Sequence, residues 1–253
     1  MYLLSSSMKS TKIFPSLKSL ANAIGSRFRE ESQQAAKKNH LYSVALAGGT
    51  TALKVYNLLR IPEFAETIPW ESVHLFWTDE RCVLPESNES NYGTIHRSLL
   101  HSIPIPSANL HRIKGEENPT TEANRYACEI QNHFTLRSNS NYFFDWVLLG
   151  VGDDGHTASL FPQQDIINSK KLCEVSQHPD TGQKRITMTP VAINRSRRIT
   201  YHVIGPKKAK IISKLASQLP ENKKYPAAQI EGDWFLDQEA ASKLSLSNLD
   251  IKQ

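Results

Sequence analysis

Apolar residues in this chain fall into short unbroken runs, separated by longer stretches in which they recur every three or four positions. The runs read as strands buried on both faces, and the longer stretches as helices with one apolar stripe. Strands are predicted at 41–47, 73–78, 145–149, 185–189 and 199–204, with a short last one at 234–236. Helical patterns cover 16–36, 52–59, 91–100, 120–134 and 207–219. Within 120–134 the stripe is Ala123, Tyr126, Ala127, Ile130 and Phe134. Strands alternating with helices predict an α/β fold, a mainly parallel sheet with helices on both faces. No repeat, low-complexity tract or flexible linker interrupts the pattern, so the 253 residues read as one domain. The first 15 residues fit no element and are expected to be disordered.

Composition narrows the class. Hydrophobic residues are 39% and charged residues 22%, ordinary for a soluble globular protein. No apolar run approaches the ~18 residues of a membrane span, and residues 1–7 lack the basic start and apolar length of a signal peptide. Cys82, Cys128 and Cys173 are scattered, without metal-ligand spacing, which points to a reducing, cytoplasmic setting. The net charge of +5 draws anions, sugar phosphates among them. Nucleic acid is not expected, because Lys and Arg are dispersed and no zinc-finger spacing or aromatic RNA-binding motif is present. A monomer or weak dimer is expected.

Candidate chemistry lies where the predicted strands end. The densest stretch runs from Gly150 to Pro162, a glycine-rich turn carrying Asp153, Asp154, His156, Thr157 and Ser159. In an open α/β sheet the carboxyl ends of strands are where ligands bind. A histidine there can exchange a proton near neutral pH. Gly48-Gly49-Thr50-Thr51, between a strand and a helix, offers backbone N–H groups and hydroxyls to an anion. It is neither a Walker loop nor a dinucleotide fingerprint. Asp79 and Arg81 follow the strand at 73–78, and Arg185 opens another; a guanidinium fork suits phosphate or carboxylate oxygens. Lys207 and Lys208 stand near a helix start, where a cation opposes the helix dipole unless an anion lies between them. His40, His74, His96, His101, His111, His133, His178 and His202 lack such a setting and are read as surface or packed residues. No metal site and no nucleophile elbow are expected from the spacing.

Taken in order, these segments resemble the 6-phosphogluconolactonase family. The matching residues are Gly48-Gly49-Thr50-Thr51, Thr78-Asp79-Glu80-Arg81 with Ser90-Asn91, and Leu149 through Pro162. Arg185-Ile186-Thr187, Gly205-Pro206-Lys207-Lys208-Ala209 and Tyr225-Pro226-Ala227-Ala228 follow. Ala52 departs from the pattern, where the family commonly carries proline; this alters the stiffness of the turn and not its donors. The resemblance implies the fold shared by glucosamine-6-phosphate deaminases and ribose-5-phosphate isomerases. It also implies hydrolysis of 6-phospho-D-glucono-1,5-lactone to 6-phosphogluconate in the oxidative pentose phosphate pathway, without metal or cofactor.

The implied catalytic set is His156 as general base, Asp154 to orient it or meet a sugar hydroxyl, and Arg81. Gly48, Gly49, Thr50, Thr51, Asp79, Arg185 and Lys208 are the substrate-binding set. How Arg81, Arg185 and Lys208 divide phosphate from oxyanion stays open. Deaminase chemistry is disfavoured because Ser159-Leu160-Phe161-Pro162 brings no carboxylate where deaminases run on to Asn-Glu-Pro. A sugar-phosphate sensor is disfavoured because the residues before the first strand offer one helix and no complete DNA-reading head.

Overall fold

The computed structural model describes residues 8–136, 141–217 and 219–244. Strand β1 (Met8–Phe14) leads into helix α1 (Leu17–Lys37), then β2 (Tyr42–Leu46), α2 (Thr50–Tyr56) and the single turn α3 (Pro62–Ala65). β3 (Val73–Trp77), β4 (Asp79–Arg81), α4 (Asn91–Ser98), β5 (Leu110–His111) and α5 (Pro119–Leu136) follow. The chain continues with β6 (Trp146–Leu149), β7 (Cys173–Gln177), β8 (Lys184–Met188) and the turn α6 (Pro190–Ile193). It closes with β9 (Ile199–Val203), α7 (Ala209–Ala216) and β10 (Gly232–Asp237). Among the described residues, no helix is long and apolar enough to cross a membrane.

Seven strands form one parallel sheet in the order β1-β10-β9-β6-β2-β3-β5. Every residue of β2 and β6 is buried, as unbroken apolar runs require when both faces of a sheet are covered. Trp77, Trp146 and Trp234 are fully buried; the Trp146 indole donates to Thr200 Oγ1 at 2.9 Å, and Trp234 stacks on Tyr201 at 4.0 Å. From β2 the chain moves outward through β3 to β5, and from β6 it moves the other way through β9 to β10. The direction of winding therefore reverses between β2 and β6. Such a reversal opens a crevice at the strands' carboxyl ends.

Three features correct the sequence reading. Residues 8–14, expected to be disordered with the rest of 1–15, form β1, paired in parallel with β10 and tied by Ser10 Oγ to Asp233 Oδ1 at 2.7 Å. Its hydrophobic signal is weak because its strand character comes from a partner far along the chain; residues 1–7 lie outside the described residues. Arg185 to Met188 is a strand, but in a separate antiparallel sheet, β4-β8-β7, in which β7 is an element the pattern did not reveal. The last predicted helix begins two residues later than expected, after a 3₁₀ turn at Pro206–Lys208.

Ser16 caps α1: its hydroxyl accepts from Ser19 N–H at 3.2 Å, and Ser19 Oγ accepts from the Ser16 N–H at 3.1 Å. This reciprocal pair satisfies N–H groups that lack partners inside the helix.

Candidate active site

A cleft of about 230 Å³ opens over the carboxyl ends of β9, β6, β2 and β3. Gly48, Gly49, Thr50, Thr51, Asp79, Arg81, His156, Arg185 and Lys208 all line it. Nine of the ten expected site residues are therefore brought together from segments spread over the chain. The tenth, Asp154, does not line the cleft and reaches it through His156.

The turn after β6 is held by its own backbone. Gly152 N–H donates to the His156 carbonyl at 2.8 Å, and Thr157 Oγ1 donates to the Gly150 carbonyl at 2.9 Å. Inside this turn His156 Nδ1 lies 2.6 Å from Asp154 Oδ1. An ionised carboxylate only accepts, so the shared proton resides on Nδ1, and Nε2 is the ring's acceptor whenever the ring carries one proton. Burial pushes the Asp154 carboxyl up, but the hydrogen bond and charge of His156 outweigh it and leave the carboxyl below its ordinary value. Asp154 is thus ionised at neutral pH. Gly152 is required: a Cβ there would stand 2.1 Å from His156 Nδ1 and 2.5 Å from Asp154 Oδ1. Ala158, which lines the cleft, adopts left-handed backbone with φ 48°, a conformation costly for a residue with a side chain.

Two supports hold this turn from outside. Ser159 is fully buried and donates to Asp79 Oδ2 at 2.6 Å. Ala227 N–H donates to the Gly155 carbonyl at 3.1 Å, and the Tyr225 ring packs against Gly155. The Tyr225-Pro226-Ala227-Ala228 segment therefore braces the histidine turn and does not line the cleft.

The opposite wall is built by β4 and β8. Glu80 is buried and accepts from Arg81 N–H, Asn91 N–H and Tyr92 N–H at 2.7 to 2.8 Å and from Ser90 Oγ at 3.0 Å. Burial raises its carboxyl above the ordinary range against those four bonds. Glu80 thereby ties the start of α4 to β4. Asn91 donates to the Asp79 carbonyl at 2.9 Å and packs so closely on Gly48 that a Cβ there would meet Asn91 Oδ1 at 1.9 Å. Asp79 itself is buried, and both its oxygens already accept: Oδ2 from Ser159, Oδ1 from Asn91 Nδ2 at 3.3 Å. It joins the two walls while lining the space between them.

Arg81 and Arg185 face each other directly across the β4–β8 ladder. Like charges opposite one another in a sheet are destabilising. Arg81 Nη1 donates to the Glu89 carbonyl, but the Nε of each arginine is buried without a protein partner. Burial, then the charge of Arg81, holds the Arg185 guanidinium below its ordinary pKa. Two under-satisfied guanidinium groups on one cleft wall are suited to an anionic guest.

Lys208, the residue before α7, is paired with Asp153 at 2.7 Å across the cleft mouth. Asp153 is 69% exposed, so the pair is of the weak, solvent-screened kind. Thr50 and Thr51 open α2, whose first N–H groups have no acceptor within the helix. Lys208 and this helix start flank the same cleft.

His202 on β9 is a lining residue that the sequence reading set aside. It is packed, as expected of a histidine within an apolar strand, yet it also forms cleft wall. Neither ring nitrogen has a protein partner, and burial pushes its pKa down to about 4. The imidazole is neutral at neutral pH. Its signal in the sequence was an imidazole inside the otherwise strand-like run Ile199 to Val203.

Known proteins resemble this chain in sequence and fold. The family model described as glucosamine-6-phosphate isomerases/6-phosphogluconolactonase matches residues 15–236. A 6-phosphogluconolactonase of Aggregatibacter actinomycetemcomitans is 40% identical over 211 residues, 81% of this chain and 89% of that protein. The crystal structure of the devB protein superposes with a TM-score of 0.86 at 37% identity, covering 93% of this chain and 99% of that one. A monomeric glucosamine-6-phosphate deaminase superposes with a TM-score of 0.76 at 19% identity, covering 92% and 99%, a likeness of fold alone.

Proposed function

The chain belongs to the glucosamine-6-phosphate isomerase/6-phosphogluconolactonase family, and from that premise we propose that it hydrolyses 6-phospho-D-glucono-1,5-lactone to 6-phosphogluconate, a step of the oxidative pentose phosphate pathway. The observation that carries the reading is the His156–Asp154 pair at 2.6 Å on the wall of a cation-lined cleft. Ester hydrolysis needs a base to activate water, a partner for the developing oxyanion and a hold on the substrate.

His156 Nε2 takes a proton from water as its oxygen attacks the lactone carbonyl carbon. The carbon–ring-oxygen bond of the resulting intermediate then breaks, and the imidazolium returns its proton to the departing ring oxygen. The new carboxylic acid ionises at neutral pH, so each turnover releases one proton to solvent. Asp154 acts as a positioning residue, holding the Nδ1–H tautomer and stabilising the transient imidazolium. Arg81 meets the oxyanion, while Arg185, Lys208 and the Gly48–Thr51 turn bind the phosphate. A dianionic phosphate displaces Asp153 from Lys208, since that pair is exposed and worth only about 0–1 kcal/mol. Asp79 acts by fixing Ser159 and Asn91.

The deciding experiment offers the purified chain freshly generated 6-phosphogluconolactone and, separately, glucosamine 6-phosphate. Proton release well above the spontaneous rate with the lactone, and no ammonia from the amino sugar, is expected. Turnover of glucosamine 6-phosphate alone would overturn the reading.

A further inference from the structure

A second cluster of chemistry-bearing side chains lies away from the cleft and shares no lining residue with it. His74 on β3, His111 on β5 and His133 in the last turn of α5 converge so that one ring nitrogen from each lies within 4.8 Å of the others. We propose that these three imidazoles form a binding site for a first-row transition metal, with Zn²⁺ as the fitting ion. Neutral imidazole suits Zn²⁺, Ni²⁺ or Cu²⁺ and does not suit Mg²⁺ or Ca²⁺.

The hydrogen bonding around the cluster has the form that metal-bound histidines carry. His111 Nδ1 lies 2.8 Å from Glu129 Oε1, and Glu129 is itself bound by Arg125. The carboxylate keeps the proton on Nδ1 and leaves Nε2 as a lone-pair donor, the carboxylate–histidine–metal arrangement. That Nε2 lies 2.9 Å from His74 Nδ1. Two nitrogens bound to one tetrahedral zinc stand about 3.3 Å apart, so the ion enters between them with a small spreading of the rings. His74 then carries its proton on Nε2 in place of Nδ1. His133 is anchored through Nε2 to Ser43 Oγ at 2.7 Å. It sits at a helix carboxyl end, where the macrodipole favours a cation.

Access is provided by an open cavity of about 370 Å³ lined by His111, His133, Cys128 and Glu129. The gain to the fold is specific. β5 is a two-residue edge strand, and three nitrogens on one ion would fasten it to β3 and to the end of α5.

The test uses the full chain stripped with a chelator and titrated with Zn²⁺ alone, followed by calorimetry and melting temperature. One saturable site per chain and a raised melting temperature are expected, with binding retained in His156→Ala. His111→Gln is expected to abolish binding. Glu129→Gln is expected to weaken it by roughly 10–100-fold, the usual effect of losing the partner of a metal-bound histidine. Absence of saturable binding, loss of binding in His156→Ala, or binding undiminished in His111→Gln would overturn the proposal. Should His111→Gln fail to fold, Co²⁺ added to the unaltered chain decides: intense visible bands of a tetrahedral site support it, and the pale spectrum of an octahedral ion overturns it.

Discussion

The two walls of the cleft differ in how well their polar groups are satisfied. On the wall after β6, His156 is held by Asp154 and the turn by its own backbone bonds. On the β4–β8 wall, Arg81 and Arg185 stand opposite each other with buried nitrogens left unpaired. A satisfied wall is already arranged before the substrate arrives, as a proton-transferring group must be. An under-satisfied cationic wall gains its missing partner when an anion binds. The difference fits the proposed division, with the proton moved on one wall and charge stabilised on the other.

Breaking the arginine wall should give the largest effect short of removing the base. Arg81→Gln is expected to lower kcat by roughly 10²–10³-fold, the usual loss for one oxyanion partner, measured by proton release under saturating lactone. Its melting temperature should hold nearly steady, because the lost bond to the Glu89 carbonyl is offset by relief of repulsion with Arg185. A collapse in stability with kcat retained would make the pair structural.

Lys208→Ala sharpens the division within the cationic set. Phosphate binding that is equal in ground and transition states lowers KM without raising kcat. The variant should therefore raise KM by about tenfold with kcat almost unchanged, consistent with the loss of one charge-assisted bond. An unchanged KM would remove Lys208 from phosphate binding.

The smallest effect concerns His202, which belongs to neither wall's charge scheme. Its folded pKa of about 4 lies below the ordinary value of 6.5. Between these values the unfolded chain binds the extra proton, so the stability tied to neutral His202 is complete above pH 6.5 and is lost as pH falls towards 4. Linkage puts the loss at roughly 2 kcal/mol by pH 5. Urea unfolding of His202→Leu between pH 7 and 5 should show a correspondingly flatter dependence than the unaltered chain. Parallel slopes would contradict a buried, neutral His202.

The parts of the fold that were legible share a physical cause. β2, β3, β6 and β9 are largely buried on both faces, so their apolar runs stand out, and the glycine turns that follow β2, β6 and β9 are local in sequence. The histidine turn was legible for the same reason, its groups lying between Gly150 and Pro162. Pairings between distant segments were not. β1 is strand because β10 lies beside it, and β8 looked like any other apolar run until β4 and β7 placed it in a second sheet. Glu80 read as one of a charged tetrapeptide, and only its four donors reveal a buried carboxylate tying α4 to β4. His74, His111 and His133 show no ligand spacing, because the sheet and α5, not the sequence, bring them together.

The proposed function stands or falls with His156 as the base. Steady-state hydrolysis of freshly generated 6-phosphogluconolactone by the unaltered chain and by His156→Ala, with the spontaneous rate subtracted, tests it most directly. With His156 as the base, kcat should fall by about 10²-fold or more in the variant, the contribution of a positioned base, with the melting temperature preserved. Turnover in His156→Ala close to that of the unaltered chain would contradict it.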